Sequence, residues 1–182
     1  HELLVATNDR IGLVADVAGI LSVLRLEVRS ANLDTRNGIA YQVWNVSTQF
    51  GDLPDVALIK QEIGRAISDS AWVAQRVSQL QPLLHLRRGF VPPPAQVSIA
   101  QGASARATVL DVRVHDAPAL LHKVAATVAR LHFSILAARV STLGSEAVDA
   151  LYVVNEHGDA LSSEQQQAVV AAVLEAVSEA AE

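Results

Sequence analysis

The chain has 182 residues, 51% of them hydrophobic, with a net charge of −5 and no cysteine. That composition is ample for packed cores and the length suits two small domains. It excludes disulfides, thiolate metal sites and a cysteine nucleophile, and scattered Arg and Lys in an acidic chain argue against a nucleic-acid surface.

A short apolar strand at Leu3 to Thr7 runs into "NDRIGLVADVAG", Asn8 to Gly19. The stretch predicts a tight strand-to-helix junction with three competing uses. Asp9 could be a plain N-cap, its carboxylate taking free N–H groups of the first turn. The junction could instead cradle a phosphate, or form one wall of a pocket for a small zwitterion. A helix follows, with Leu13, Val17, Ile20, Leu21 and Leu24 on one stripe. The next strand changes phase midway, from Leu26 and Val28 to Ala31 and Leu33, which predicts a bulge or bend. Asn37-Gly38 tolerates the positive φ of a tight hairpin turn, and a third strand runs from Ile39 to Ser47. Asp55 is placed to cap a second helix carrying Val56, Ile59, Ile63 and Ile67. A further helix is expected from Ser70 to Gln81, stopped by Pro82.

Residues 82–105 are rich in Pro, Gly and Ala and read as a linker with a late strand at 97–99. Beyond it the opening pattern returns at an offset of 107. "VATNDRIGLVADVAGILSVLRLEVRSANLDT" aligns without a gap on "VRVHDAPALLHKVAATVARLHFSILAARVST", Val112 to Thr142. Asp9, Leu13, Val17, Leu24, Ala31 and Thr35 meet Asp116, Leu120, Val124, Leu131, Ala138 and Thr142. The phase change recurs between Ile135 and Ala138, Gly144-Ser145 occupies the hairpin turn, and Ser162 or Ser163 can cap the last helix. Each half reads β-α-β-β-α, so the expected fold is α+β: two ferredoxin-like units in tandem, 1–81 and 106–182, with helices on one face of antiparallel sheet. Neither half shows a fourth strand of its own.

"NDRIGLVADVAGIL", "HDAPALLHKVAATVARL" and above all "ILAARVSTLGSEAVDALYVV" (Ile135 to Val154) resemble the tandem ACT domains at the C-terminal end of bacterial PII uridylyltransferases/uridylyl-removing enzymes. The resemblance implies βαββαβ regulatory modules that bind an amino acid at the first strand-to-helix loop and a neighbouring strand, with glutamine as the sensed amino acid. It implies upstream catalytic domains, with Mg²⁺ needed by the nucleotidyltransferase one, the PII protein as their target, no cofactor for this chain, and either the other repeat or a homodimer partner completing each pocket. Ligand-binding positions implied are Asp9, Arg10, Ile11, Gly12 and Leu13 in the first repeat and Asp116, Pro118, Ala119 and Leu120 in the second, with Asn32 and Arg139 on the facing strands. The family junction reads D-R-P-G; the second repeat departs from it at Ala117 and Ala119, and Ala119 adds a methyl where close backbone approach is wanted. Physically, a helix N-terminus suits an α-carboxylate while Asp9 suits an α-ammonium.

Sharper chemistry finds little support. His115-Asp116 is reminiscent of an HD hydrolase, but it falls at a strand end and the other His residues are scattered. Gly144-Ser145 with Asp149 lacks the second acid of a nucleotidyltransferase, and no P-loop or nucleophile elbow occurs. Seven aromatics form no base-stacking motif. No catalytic or metal-binding residue is expected in this chain. A ligand-free docking module is the rival reading. No apolar run approaches the ~20 residues of a membrane span, and no signal-peptide pattern opens the chain. A cytoplasmic setting is therefore expected. The start at His1 and the absence of methionine suggest part of a longer polypeptide.

Overall fold

The computed structural model describes residues 1–48, 51–80, 93–143 and 146–178. Phe50, His85, Phe90, the 81–92 part of the expected linker and the Gly144-Ser145 turn lie outside them. In chain order the elements are β1 (Glu2–Asn8), α1 (Leu13–Val23), β2 (Leu26–Arg36), β3 (Ile39–Thr48), α2 (Val56–Ser68), α3 (Ser70–Ser78), β4 (Gln96–Ile99), β5 (Thr108–His115), α4 (Leu120–Arg130), β6 (Ser134–Leu143), β7 (Glu146–Val154) and α5 (Ser163–Ser178). The seven strands form one antiparallel sheet in the order β1-β3-β2-β6-β7-β5-β4. This is the expected α+β arrangement of tandem ferredoxin-like units, joined through β2 and β6 into a continuous sheet.

Local chemistry explains most element boundaries. Asp55 accepts from the Ala57 N–H at 2.6 Å and Asp69 from the Trp72 N–H at 2.9 Å, so α2 and α3 each start on a carboxylate cap. At α5 the cap is Ser162: its Oγ accepts from the Gln165 N–H, while Gln165 Oε1 accepts from the Ser162 N–H, a reciprocal capping box. Asn37 and Gly38 both have positive φ, 52° and 75°, as the primed turn between β2 and β3 demands. The phase changes in the second strands are bulges at matching places, where the register shifts between Val28 and Ser30 and between Ile135 and Ala137. Each bulge lets both ends of its strand turn apolar side chains toward the helices.

The core lies between the sheet and the helix layer. Leu13, Val17, Ile20 and Leu21 of α1 and Val124 and Val128 of α4 are buried in it, with α2 and α3 packed against α1 and α5 against α4. Each such side chain contributes about 1.5–3 kcal/mol relative to exposure. Trp44 on β3 is fully buried, and its indole Nε1 donates to Gln42 Oε1 at 3.0 Å, which satisfies both polar groups inside the core.

A pseudo-twofold axis relates the repeats. Ala31 pairs with its own counterpart Ala138, flanked by Ser30 with Arg139 and Asn32 with Ala137. On the helix side α1 crosses α4 on the same axis, where His122 Nδ1 donates to the carbonyl of Ala15, its counterpart, at 2.7 Å. Gly19 permits this approach, because a Cβ there would stand 2.7 Å from both His122 Nδ1 and Val73 Cγ1. The symmetry breaks at the sheet edges. β4, from the segment between the repeats, pairs with β5 and packs on α5, completing a four-stranded order in the second half. Among the described residues no strand covers the equivalent edge of β1.

Candidate functional site

The opening junction is not a carboxylate-capped helix start. α1 begins at Leu13 with Gly12 as its N-cap residue at φ 84°, and no side chain caps it. The first-turn N–H groups of Val14 and Ala15 have no intrahelical acceptor, so they and the positive end of the helix face outward. Asp9 is held elsewhere: its Oδ2 accepts from the Thr35 hydroxyl at 2.8 Å and its N–H donates to the Gly38 carbonyl at 2.8 Å. The carboxylate therefore stands over the end of β2, beside the helix terminus rather than on it.

Arg10 is engaged within the chain. Its guanidinium donates to Asp16 at 2.6 Å and to the carbonyl of Ile67 at 2.9 Å, and Ser70 Oγ donates to the same Asp16 oxygen at 2.6 Å. Arg10 thereby ties the junction to the end of α2 and satisfies Asp16, which is buried. An unpaired carboxylate there would be strongly destabilising.

A cleft of about 410 Å³ opens at this junction. Asp9 to Ala15 form one wall and Leu33, Thr35 and Gln42 the floor. The opposite wall comes from the second repeat: the start of β6 at Phe133 to Leu136 and the turn after β7 at Asn155 to Gly158. The volume suits a small polar molecule, with N–H donors, a carboxylate and apolar walls in one place. Asp9, Ile11, Gly12 and Leu13 thus come together as lining residues, and Arg10 lines the cleft with a guanidinium already engaged.

Asn32 and Arg139 lie elsewhere. They meet on the sheet face opposite the helices, Arg139 Nη1 donating to Asn32 Oδ1 at 3.3 Å, beside a more open depression of about 520 Å³ lined by Asn32, Arg36, Tyr41 and Val43. Sequence reasoning missed Thr35, Gln42 and the Phe133–Leu136 and Asn155–Gly158 walls. The Thr35/Thr142 coincidence at offset 107 is the only signal that points toward any of them.

Asp116, Pro118, Ala119 and Leu120 form the counterpart junction. The N-cap residue of α4 is Ala119, left-handed at φ 56° and again without a side-chain cap. The backbone geometry of Gly12 is thus kept in a residue that resists it. Desolvation, then Glu27, raises the Asp116 carboxyl above its ordinary range, while His115 and the Ala117 N–H act in the other direction. Asp149 on β7, the counterpart of Gln42, is buried, and burial followed by the charge of Asp116 pushes it up to about 7. Among the described residues no group of three or more His, Cys, Asp or Glu side chains could hold a metal ion, and no helix is long and apolar enough to cross a membrane.

No family model matches the chain. Curated relatives do. The bifunctional uridylyltransferase/uridylyl-removing enzyme of Streptomyces coelicolor is 37% identical over 175 residues, which is 92% of this chain and 21% of that protein. Enzymes of the same name from Rhodospirillum rubrum and Caulobacter vibrioides are 26% and 34% identical over 96% and 86% of the chain, and 19% and 17% of their own lengths. The chain spans about a fifth of the length of the curated relatives it matches. A solved structure of an unknown protein from Galdieria sulphuraria matches over 98% of this chain and 91% of its own at 18% identity and a TM-score of 0.34, too distant to carry an argument.

Proposed function

We propose that this chain is a cytoplasmic regulatory module of paired ACT type that senses an amino acid, glutamine, and governs the addition and removal of nucleotide on a PII protein by catalytic domains elsewhere in its polypeptide. One observation carries the reading: an uncapped helix N-terminus and a fixed carboxylate, Asp9, face the same cleft between the repeats. The N–H groups suit an α-carboxylate and Asp9 an α-ammonium, so the cleft matches a zwitterion where a phosphate would meet the carboxylate unfavourably. Similarity along nearly the whole chain to one stretch of the uridylyltransferases supports the regulatory role. Because both repeats wall the cleft, a ligand there couples their relative packing to amino-acid concentration. That differential affinity for two packings is what such control requires.

The second reading is ligand-free docking. Leu4, Tyr41 and Leu136 are exposed, and Tyr41 sits on the uncovered sheet face beside Val43, a surface suited to another domain or chain. Isothermal titration separates the two. Glutamine should give saturable heat, glutamate less, and Asp9→Ala none. Absence of heat from the folded chain at millimolar glutamine would favour docking.

A further inference from the structure

Gln42 carries a donor that nothing in the chain uses. It is 1% exposed, on the helix-facing side of β3, and forms part of the floor of the first cleft. The indole Nε1 of Trp44, which can donate and cannot accept, bonds its Oε1 at 3.0 Å. That bond fixes which way the amide points, because the opposite flip would set N–H against N–H. The Nε2 end has no hydrogen-bond partner among the described residues, yet it is not sealed from solvent as the unpartnered Oδ1 of Asp149 is. The trace of surface that Gln42 keeps therefore presents its donor end to the cleft. An amide satisfied at one end by the core and open at the other is a preset donor, and leaving it unpaired costs stability.

Strand register places this donor relative to Asp9. The Asp9 carboxylate accepts from Thr35, Thr35 lies opposite Ala40, and the next pair on the same face is Leu33 with Gln42. The floor thus runs inward from the carboxylate, over the Ala40 methyl, to the Gln42 amide. Two residues along a strand span about 6.6 Å, close to the separation of the α-nitrogen and the side-chain carbonyl oxygen in an extended glutamine. Asparagine falls one methylene short. The counterparts of Gln42 and Trp44 in the second repeat are Asp149 and Leu151, so neither the donor nor its lock recurs there.

We propose that Gln42 is the specificity-determining residue of the first cleft, its Nε2 donating to the side-chain carbonyl oxygen of the bound amino acid, with Trp44 as the positioning residue that holds the amide. The proposal rests on the amino-acid-sensing reading and deepens it. The junction reads the two charges that every amino acid shares, whereas Gln42 reads the end of the side chain. The ligand class is an amino acid with a carbonyl oxygen beyond two methylenes.

The test is isothermal titration of the 182-residue chain and of Gln42→Met, which removes the amide donors at similar volume. The ligands are glutamine, asparagine and homoleucine, the last being glutamine with both amide heteroatoms replaced by methyl groups. The wild type should bind glutamine at least about tenfold more tightly than either analogue, as expected when an analogue leaves a buried donor unpaired. In Gln42→Met glutamine should weaken by about tenfold while homoleucine holds or tightens, so that the preference disappears. A merely structural loss would weaken both ligands alike and leave their ratio unchanged. Equal binding of glutamine and homoleucine by the wild type would overturn the proposal and leave the sensing reading standing, a result that needs no variant. A Gln42→Met protein shown by melting to be folded that keeps the full preference would overturn it as well. No heat from any of the three in the wild type would overturn the sensing reading and this proposal with it.

Discussion

Replacing Asp149 by Asn should stabilise the protein in a pH-dependent way, and the size follows from its surroundings. The carboxyl titrates near 3.8 when unfolded and at about 7 when folded. The folded state therefore binds the proton more tightly, and stability from this group is fully present below pH 3.8 and falls as pH rises to 7. About three pH units at 1.36 kcal/mol each give about 4 kcal/mol lost by pH 8. Asn has nearly the same shape as the protonated carboxyl and no charge, so the loss should vanish in the variant. Urea unfolding of both proteins from pH 4.5 to 8.5 isolates the effect, since other titrations largely cancel in the difference. The variant should match the wild type within about 1 kcal/mol at the acidic end and exceed it by about 3–4 kcal/mol at pH 8. A difference that stays flat with pH, or a wild type more stable at pH 8, would refute the placement of an ionisable carboxyl in a dry, acid-flanked position.

Backbone strain and close packing give two further expectations. Ala119 is left-handed at φ 56°, so Ala119→Gly should raise stability by about 1 kcal/mol. Gly12→Ala should cost about the same, because a Cβ there meets only Arg10 Nη1, at 3.8 Å, and the φ of 84° alone opposes it; paired melts in which Ala119→Gly lowers the midpoint would contradict this. Gly19→Ala favours helix by about 1 kcal/mol in isolation, yet its methyl would stand 2.7 Å from His122 Nδ1 and Val73 Cγ1. A net loss of about 1–3 kcal/mol is expected, read by urea unfolding, and a more stable variant would show that α1 and α4 separate easily.

What could be read in the sequence is what local chemistry writes there. The stripe from Leu13 to Leu21, the Asn37-Gly38 turn, the Asp55 cap and the shared phase changes each arise from neighbours within a few residues, and the offset of 107 repeats them. Asp9 and Gly12 were legible as a junction, but the junction's use was not: the partner of Asp9 is Thr35, across a strand and a turn. Nothing local to Arg10 shows that the end of α2 returns to meet its guanidinium. The register centred on Ala31 and Ala138 turns the Asn32 and Arg139 side chains to the face opposite the helices, which alternation along either strand alone does not show. A strand register that differs by one residue reverses every side chain, and periodicity alone cannot choose between registers.

β4 has a practical corollary for anyone dissecting the molecule. The strand that closes the second half is spelled out before that half begins, at Gln96 to Ile99. A cut at residue 106, where the repeat alignment invites one, would strip β5 of its neighbour and expose a row of unpaired backbone groups along Leu110 to Arg113. Bare edges of that kind recruit other chains. Expression of the C-terminal half therefore calls for a start upstream of Gln96, and insolubility of a shorter piece would report a torn sheet rather than an inability to fold.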